Sequence, residues 1–199
     1  MKTIGVLALQ GGFQRHVEMI QRIGHNPVEV RYADQLSTVD GLIIPGGEST
    51  TIGKLLERNM FIPTLQNLIS AGYPVFGTCA GLILLANTIL HSNQVRLGGF
   101  DIQVQRNAYG SQIESFEANL EFTVPSSIKN NQLISKASIT IEGVFIRAPI
   151  IEWCSPEVDI LSTFNQKPVC IQQGNLLGAT FHPELTSSTT LHEYFVSIT

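Results

Sequence analysis

Apolar positions in the first half of the chain follow two alternating rhythms. Residues 3–9 are apolar and β-branched with no polar face, the pattern of a strand buried on both sides. Over 13–23, Phe13, Val17 and Ile20 recur at helical spacing, and Gly24 is placed to end the helix. Residues 27–31 read as a second strand and 41–45 as a third, stopped by Pro45-Gly46-Gly47. Two helices are expected at 51–59 and 64–71, separated at Pro63, with Gly72 closing the second. A fourth strand follows at 73–77, then a helix over 80–89 that is apolar on nearly every side and therefore buried. Strand and helix in this alternation predict a parallel sheet with right-handed crossovers, an α/β class.

The second half is richer in strand signals. Short strands are expected at 100–105, 120–124, 138–141, 144–146 and 158–164. Residues 167–173 and 176–181 flank Gly174-Asn175, a two-residue hairpin signal. The last helix spans about 188–198, and 125–137 is the most polar stretch and the expected exposed loop. There is no repeat or low-complexity tract, and 199 residues suit one domain, 1–199.

Composition narrows the function. Only 14% of residues are charged against 43% hydrophobic. Such a chain collapses rather than stays disordered, and it is long enough to bury a sizeable core. A net charge of −4 leaves no basic footprint for nucleic acid. No run approaches the roughly 18 apolar residues of a membrane span. The opening MKTIGVLALQGG reads as a strand rather than a signal peptide, so the cytoplasm is the expected compartment. Three cysteines without a CxxC, and five histidines without ligand spacing, give no reason to expect a disulfide framework or a metal.

The chemistry concentrates in three motifs. In Gly77-Thr78-Cys79-Ala80-Gly81 a strand ends on a small-residue turn and a buried helix starts at once, a nucleophile elbow with sulfur in place of oxygen. That turn sets Cys79 at the positive end of a helix, which favours thiolate. It also aims the Ala80 amide at a developing oxyanion. A cysteine simply packed in a tight turn fits the same residues. In Phe181-His182-Pro183-Glu184, residues two apart on an extended segment point the same way, and Pro183 keeps the segment out of helix. His182 then suits a general base oriented by Glu184, and a strand-end histidine beside a solvated glutamate is the bland alternative. Pro45-Gly46-Gly47-Glu48-Ser49-Thr50-Thr51 follows the third strand, where open α/β sheets bind ligands. Gly47 is a second candidate oxyanion donor, and Ser49 or Thr50 is a candidate helix cap. No GK[ST] and no GxGxxG accompany it, so neither a nucleotide loop nor a dinucleotide fold is supported.

Weaker signals are Arg106-Asn107-Ala108-Tyr109-Gly110 and Ser115-Phe116-Glu117 in a polar loop region, and Arg147 at a strand end before Pro149. The two arginines suit an anionic ligand group, although a surface position fits each equally. Cys154 and Cys170 read as structural, and Trp153 and the aromatics of the last helix as core.

Together these stretches resemble the glutaminase subunit family of the two-component pyridoxal 5′-phosphate synthases, within the class I triad-type glutamine amidotransferases. The resemblance runs through GVLALQGG at 5–12, PGGESTT at 45–51, GTCAGLILLA at 77–86, RNAYGSQIESFEA at 106–118, GVFIRAP at 143–149 and FHPELT at 181–186. Most other class I amidotransferases carry Gln four residues after the nucleophile, where this chain has Ile83 as this family does. The resemblance implies a three-layer, flavodoxin-like open mixed sheet with helices on both faces. It implies a triad of Cys79, His182 and Glu184, and an oxyanion hole of the Gly47 and Ala80 amides. Glutamine contacts would come from Gly47, Glu48, Ser49, Arg106, Ile146 and Arg147. The implied activity is hydrolysis of L-glutamine to glutamate and ammonia, without metal or organic cofactor. The ammonia would pass to a separate synthase subunit, a (β/α)8 barrel in a large ring, that builds pyridoxal phosphate from a pentose phosphate and a triose phosphate. The Gly46-Gly47 peptide would be misoriented until the two subunits dock.

The chain departs from the family pattern at Arg15, before His16, where Glu is usual, and at Gln105, where Glu precedes the Arg-Asn pair. Its 124–140 region is longer than in a typical member. Rival readings are an amidotransferase serving another synthase, a cysteine hydrolase or chaperone-like protein of the same topology, and a catalytically idle regulatory module.

Overall fold

The apolar runs of the first half become the strands β1 (Thr3–Leu7), β2 (Asn26–Val30), β3 (Gly41–Ile44) and β4 (Val75–Thr78). Between them lie α1 (Phe13–Arg22), α2 (Ser49–Arg58) and α3 (Phe61–Ser70), and α4 (Ala80–Leu85) follows β4. The remainder supplies β5 (Ala86–Ile89), β6 (Phe100–Gln105), β7 (Phe116–Thr123), β8 (Ser138–Phe145) and β9 (Ile150–Cys154). It closes with β10 (Asp159–Phe164), β11 (Lys167–Gln173), β12 (Leu176–Ala179) and α5 (Thr190–Ser197). The structure is a computed structural model and describes residues 1–106, 115–124 and 138–199.

Seven strands form one mixed sheet in the order β10-β11-β12-β4-β3-β1-β2. The five from β12 to β2 run parallel, and β11 and β10 add an antiparallel edge. The parallel part has the doubly wound order of flavodoxin-like sheets, with β12 as its fifth strand. Successive residues face opposite layers, as the pleat requires. Leu42, Ile44 and Val75 join α2, α3, α4 and the small sheet β5-β6-β9 on one face. Ile4, Val6, Ile43 and Phe76 join α1, α5 and the β7-β8 hairpin on the other. The expected open mixed sheet with helices on both faces is what forms.

Several local expectations are corrected. The helix after Cys79 stops at Leu85, and 86–89 turns into a strand pairing parallel with β6. A short run that is apolar all round does not distinguish helix from buried strand. Residues 138–145 form one continuous strand, because Gly143 keeps its place in the ladder opposite Ala118. Phe116 and Glu117 begin β7 instead of lying in a loop, and Phe116 stacks on Phe145 with ring centroids 4.5 Å apart. β9 was not anticipated, since only Ile151 of its five residues is buried. Trp153 on that strand is 47% exposed and is not core, whereas Tyr194 and Phe195 of α5 are fully buried. The break between α2 and α3 falls at Met60, which takes a left-handed conformation, and not at Pro63. Pro63 sits in the first turn of α3, where the missing N–H has no partner to lose. The expected loop at 125–137 and residues 107–114 lie outside the described residues.

The topology collects four loops at the carboxyl ends of adjacent parallel strands. These are 8–12 after β1, 45–48 after β3, Cys79 after β4 and 180–185 after β12. No described helix is long and apolar enough to cross a membrane.

Candidate active site

Cys79 is the junction residue between β4 and α4, with φ 48° and ψ −101°. A non-glycine residue rarely holds such a conformation, and here the surroundings impose it. Its amide donates to the Ala179 carbonyl of β12 at 2.8 Å. Two residues further, a Cβ on Gly81 would lie 2.1 Å from the Ile44 carbonyl oxygen. Only glycine lets α4 lie this close to β3, which fixes the elbow. The helix behind Cys79 is six residues long. Its dipole is correspondingly modest, and the charge partner of the sulfur is His182 instead.

His182 follows β12 and its amide donates to the Val144 carbonyl at 2.8 Å. The segment Pro183–Leu185 is a 3-10 turn, not the extended stretch expected, with His182 as its N-cap and Pro183 at the first position. Proline starts a helical turn as readily as it interrupts one. The pairing still forms: the His182 Nδ1 lies 2.8 Å from Glu184 Oε1. Burial alone would lower the His182 pKa, but hydrogen bonds to Cys79 and Glu184 and the negative charge of both outweigh it and raise it to about 10. Burial alone would raise Glu184, whereas the His16 ring edge at Oε2 and the protonated His182 hydrogen-bonded at Oε1 hold it below the usual carboxylate range. Gly46 lies against the imidazole, where a Cβ would come within 2.3 Å of the His182 Cε1.

The third motif forms one wall of the same cleft. Gly46 accepts at its carbonyl from the Gly12 amide at 3.0 Å, and the Glu48 amide donates to Gln10 Oε1 at 3.0 Å. Glu48 is the N-cap of α2 through its carboxylate, displacing the expected Ser49 or Thr50. Arg106 forks between Glu48 Oε1 at 3.0 Å and Gln94 Oε1 at 2.6 Å, and Ser49 donates to the same Gln94 oxygen at 3.2 Å. Arg147 is exposed and holds φ 45°, a second strained residue at this cleft. The Ile146 carbonyl lies 3.9 Å from the Cys79 Sγ.

The cleft encloses about 120 Å³. It is lined by Gly47, Glu48 and Ser49 on one side, Cys79, Ile83 and His182 at the base, and Arg106, Ile146 and Arg147 on the other. Glu184 lies behind His182 with 1% of its side chain exposed, and Ala80 is buried directly after Cys79. Cys79, His182, Gly47, Glu48, Ser49, Arg106, Ile146 and Arg147 thus meet at one cleft, with Ala80 and Glu184 directly behind it, and both arginines line it although Arg147 is exposed. Cys154 and Cys170 lie apart from it as free thiols, with Cys170 fully buried. Of the charge departures, Arg15 is exposed and pairs with Glu18 at 3.3 Å.

Sequence reading missed four participants. Gln10 and Gln94 carry no signal beyond their position in polar loops. His16 was legible, because it shares the buried face of α1 with Phe13, Val17 and Ile20 at helical spacing. His192 lies between buried Leu191 and Tyr194 in α5. Both imidazoles are fully buried beside Glu184 and each other.

Comparison with known proteins agrees with this arrangement. Residues 6–199 match the SNO glutamine amidotransferase family. The chain is 47% identical over 195 residues to pyridoxal 5′-phosphate synthase subunit PdxT of Moorella thermoacetica, covering 98% of each. It superposes on a crystal structure of a glutamine amidotransferase with a TM-score of 0.87 at 41% identity, covering 98% of this chain and 97% of that one. A chain of the PurLQS structure from Thermotoga maritima aligns with a TM-score of 0.71 at 14% identity, covering 98% of both, a likeness of fold alone.

Proposed function

The chain belongs to the SNO glutamine amidotransferase family, and from that footing we propose that it is the glutaminase subunit of a pyridoxal 5′-phosphate synthase. The whole chain acts as one amidotransferase domain, in the cytoplasm. The observation that carries this reading is the meeting of Cys79, His182 and buried Glu184 beneath a cleft walled by two arginines and the Gly47–Ser49 loop.

L-Glutamine enters with its side-chain amide toward Cys79. Its α-carboxylate meets Arg106 and Arg147, and its α-amino group meets Glu48. The Glu48 and Gln94 contacts hold the Arg106 guanidinium in one plane, which pre-organises it for a carboxylate. Protonated His182 is the counter-ion of the attacking thiolate. Attack gives a tetrahedral oxyanion received by the Gly47 and Ala80 amides, each worth about 3–4 kcal/mol in the barrier. A planar trans peptide sets the Gly47 N–H opposite to the Gly46 carbonyl that Gly12 holds. His182 gives its proton to the leaving ammonia and leaves a γ-glutamyl thioester. Water activated by the now neutral His182 then releases glutamate. The ammonia passes to a synthase subunit of (β/α)8-barrel type, where vitamin B6 assembly consumes it. This chain's own residues carry the hydrolysis, with no cofactor assigned to it.

The test is glutamate release from L-glutamine, with and without the synthase subunit, for the unaltered chain and for Cys79→Ala. Release that rises on adding the partner and vanishes in the variant is expected. A Cys79→Ala chain that still releases glutamate would overturn the mechanism.

A further inference from the structure

Behind the three residues of the proposed mechanism lies a second layer of buried imidazoles that the reaction scheme does not use. Glu184 Oε1 faces His182, while its Oε2 lies 3.3 Å from His16 Nε2 on α1. Oε2 is buried and has no aligned hydrogen-bond donor among the described residues, so the His16 ring edge is the polar group that faces it. His16 Nε2 also lies 3.2 Å from the Thr78 hydroxyl, and its Nδ1 lies 2.9 Å from His192 Nε2 on α5. Side chains of His16, His192 and Thr78 are all closed to solvent.

One proton assignment satisfies this set. A lone pair on His16 Nε2 would face a carboxylate lone pair at 3.3 Å, so Nε2 carries the proton, which it directs to the Thr78 hydroxyl while its positive edge faces Oε2. His16 Nδ1 is then an acceptor, and His192 must donate to it from Nε2. That leaves His192 Nδ1 as a bare acceptor without a partner, which costs less than a buried N–H without one. Both rings are neutral in this scheme, and burial pushes the pKa of each downward, His192 to about 3. Neutrality has a consequence for Glu184. An imidazolium at His16 would draw off the charge that Glu184 presents to His182, whereas a neutral ring supplies only a donor. The titratable groups facing Glu184 are His16 from α1 and His182 from its own turn. Those acting on His16 are Glu184, His182 beyond it and, from α5, His192.

We propose that His16, with its tautomer set by His192, is a positioning residue that fixes and charges Glu184, extending the catalytic array to five side chains in the order Cys79, His182, Glu184, His16, His192. This rests on the mechanism proposed above. Removing the ring raises the Glu184 carboxyl toward the ordinary range, because the N–H edge that faces the charged form at Oε2 is lost. Protonated Glu184 releases its hold on His182, so the acid limb of the rate profile moves to higher pH.

Two readouts test it. The first is the pH profile of glutaminase activity in the complex with the synthase subunit. His16→Leu is expected to lower kcat roughly 10–100-fold, on the scale known for partners that orient metal-ligating histidines. KM should change less than about twofold, and the acid limb should move up by about one pH unit. His16→Gln, which restores a donor, should recover most of kcat. The second is 15N NMR of histidine-labelled, unaltered chain, which reports ring tautomers whatever the reaction is. Neutral, Nε2-protonated His16 and His192 down to pH 5 are expected. An imidazolium or an Nδ1-protonated His16 overturns the proposal, as does a folded His16→Leu chain with an unmoved acid limb. Should the leucine variant not fold, the NMR result decides alone. Activity surviving in Cys79→Ala would instead sink the parent mechanism and leave the tautomer result standing.

Discussion

Gly46 shows how closely the site is packed at the level of single atoms. A methyl group there would press on the His182 ring at 2.3 Å and on the Cys79 Cβ at 3.4 Å. Gly46→Ala must therefore turn the imidazole away from the sulfur. A displacement near 1 Å at reacting groups costs about 10²-fold, so kcat should fall by that order while the far-UV spectrum stays unchanged. Arg106 gives a second residue-level expectation. Its two terminal nitrogens reach Gln94 and Glu48 separately, and an ammonium cannot hold both. Arg106→Lys should raise KM for glutamine about tenfold, equivalent to ~1.4 kcal/mol, with kcat nearly unchanged. Steady-state kinetics of the complex separates the two parameters. At this scale the sequence disclosed the residues whose chemistry is explicit: a cysteine on an elbow, a histidine near a glutamate, one arginine in a polar loop and one at a strand end. It did not disclose Gln94, because an amide in a polar loop has no signature until the loop is folded against Arg106.

Among the elements, α4 is the most constrained. It runs six residues, is buried on all sides, and meets β3 across the missing side chain of Gly81. Gly81→Ala would force backbone against backbone, an overpacking worth about 1–3 kcal/mol. A thermal melt should register it as a lowered Tm, with a parallel loss of activity because the elbow moves with the helix. Strands and helices of the first half were legible because periodicity and turn residues agreed there. Boundaries failed where a run was apolar on every side, as in 86–89, or nearly polar, as in β9. Those elements take their form from partners in the small sheet with β6, which no local pattern encodes. The 3-10 turn at Pro183–Leu185 belongs to the same class, since its proline is equally at home before a strand or inside a first turn.

The ionisable groups shape the stability of the whole molecule. His192 has a folded pKa of about 3 against 6.5 in the unfolded chain, and His16 is lowered too. Below 6.5 the unfolded chain takes up protons that the folded chain refuses, so stability falls as pH drops, by up to roughly 1.4 kcal/mol per group per pH unit. His182 works in the opposite sense: its contribution is complete below 6.5 and is lost as pH rises through about 10. Glu184, whose folded pKa is depressed, contributes fully above its ordinary range and loses this as pH falls below that range. Tm measured from pH 8 to 4.5 should therefore fall on the acid side. The fall should be shallower in His192→Leu, and an equally steep fall in that variant would assign the effect elsewhere. The sheet order was legible only in its parallel half. The joining of β12 to β4 pairs segments about half the chain apart, and nothing local to either announces it.

That pairing also dictates when the site can exist. The Cys79 amide is tied to Ala179, and His182 stands at the end of the strand beside it. During synthesis from the amino terminus, β1 to β4 emerge and can stack long before β12 is made. The nascent sheet then lacks the neighbour of β4, and the thiol has no imidazole within reach. Chemical competence arrives only once β12 and His182 have left the ribosome and β12 has closed against β4. By the mechanism proposed above, a chain stalled or truncated before β12 is expected to carry an inert cysteine and to release no ammonia from glutamine.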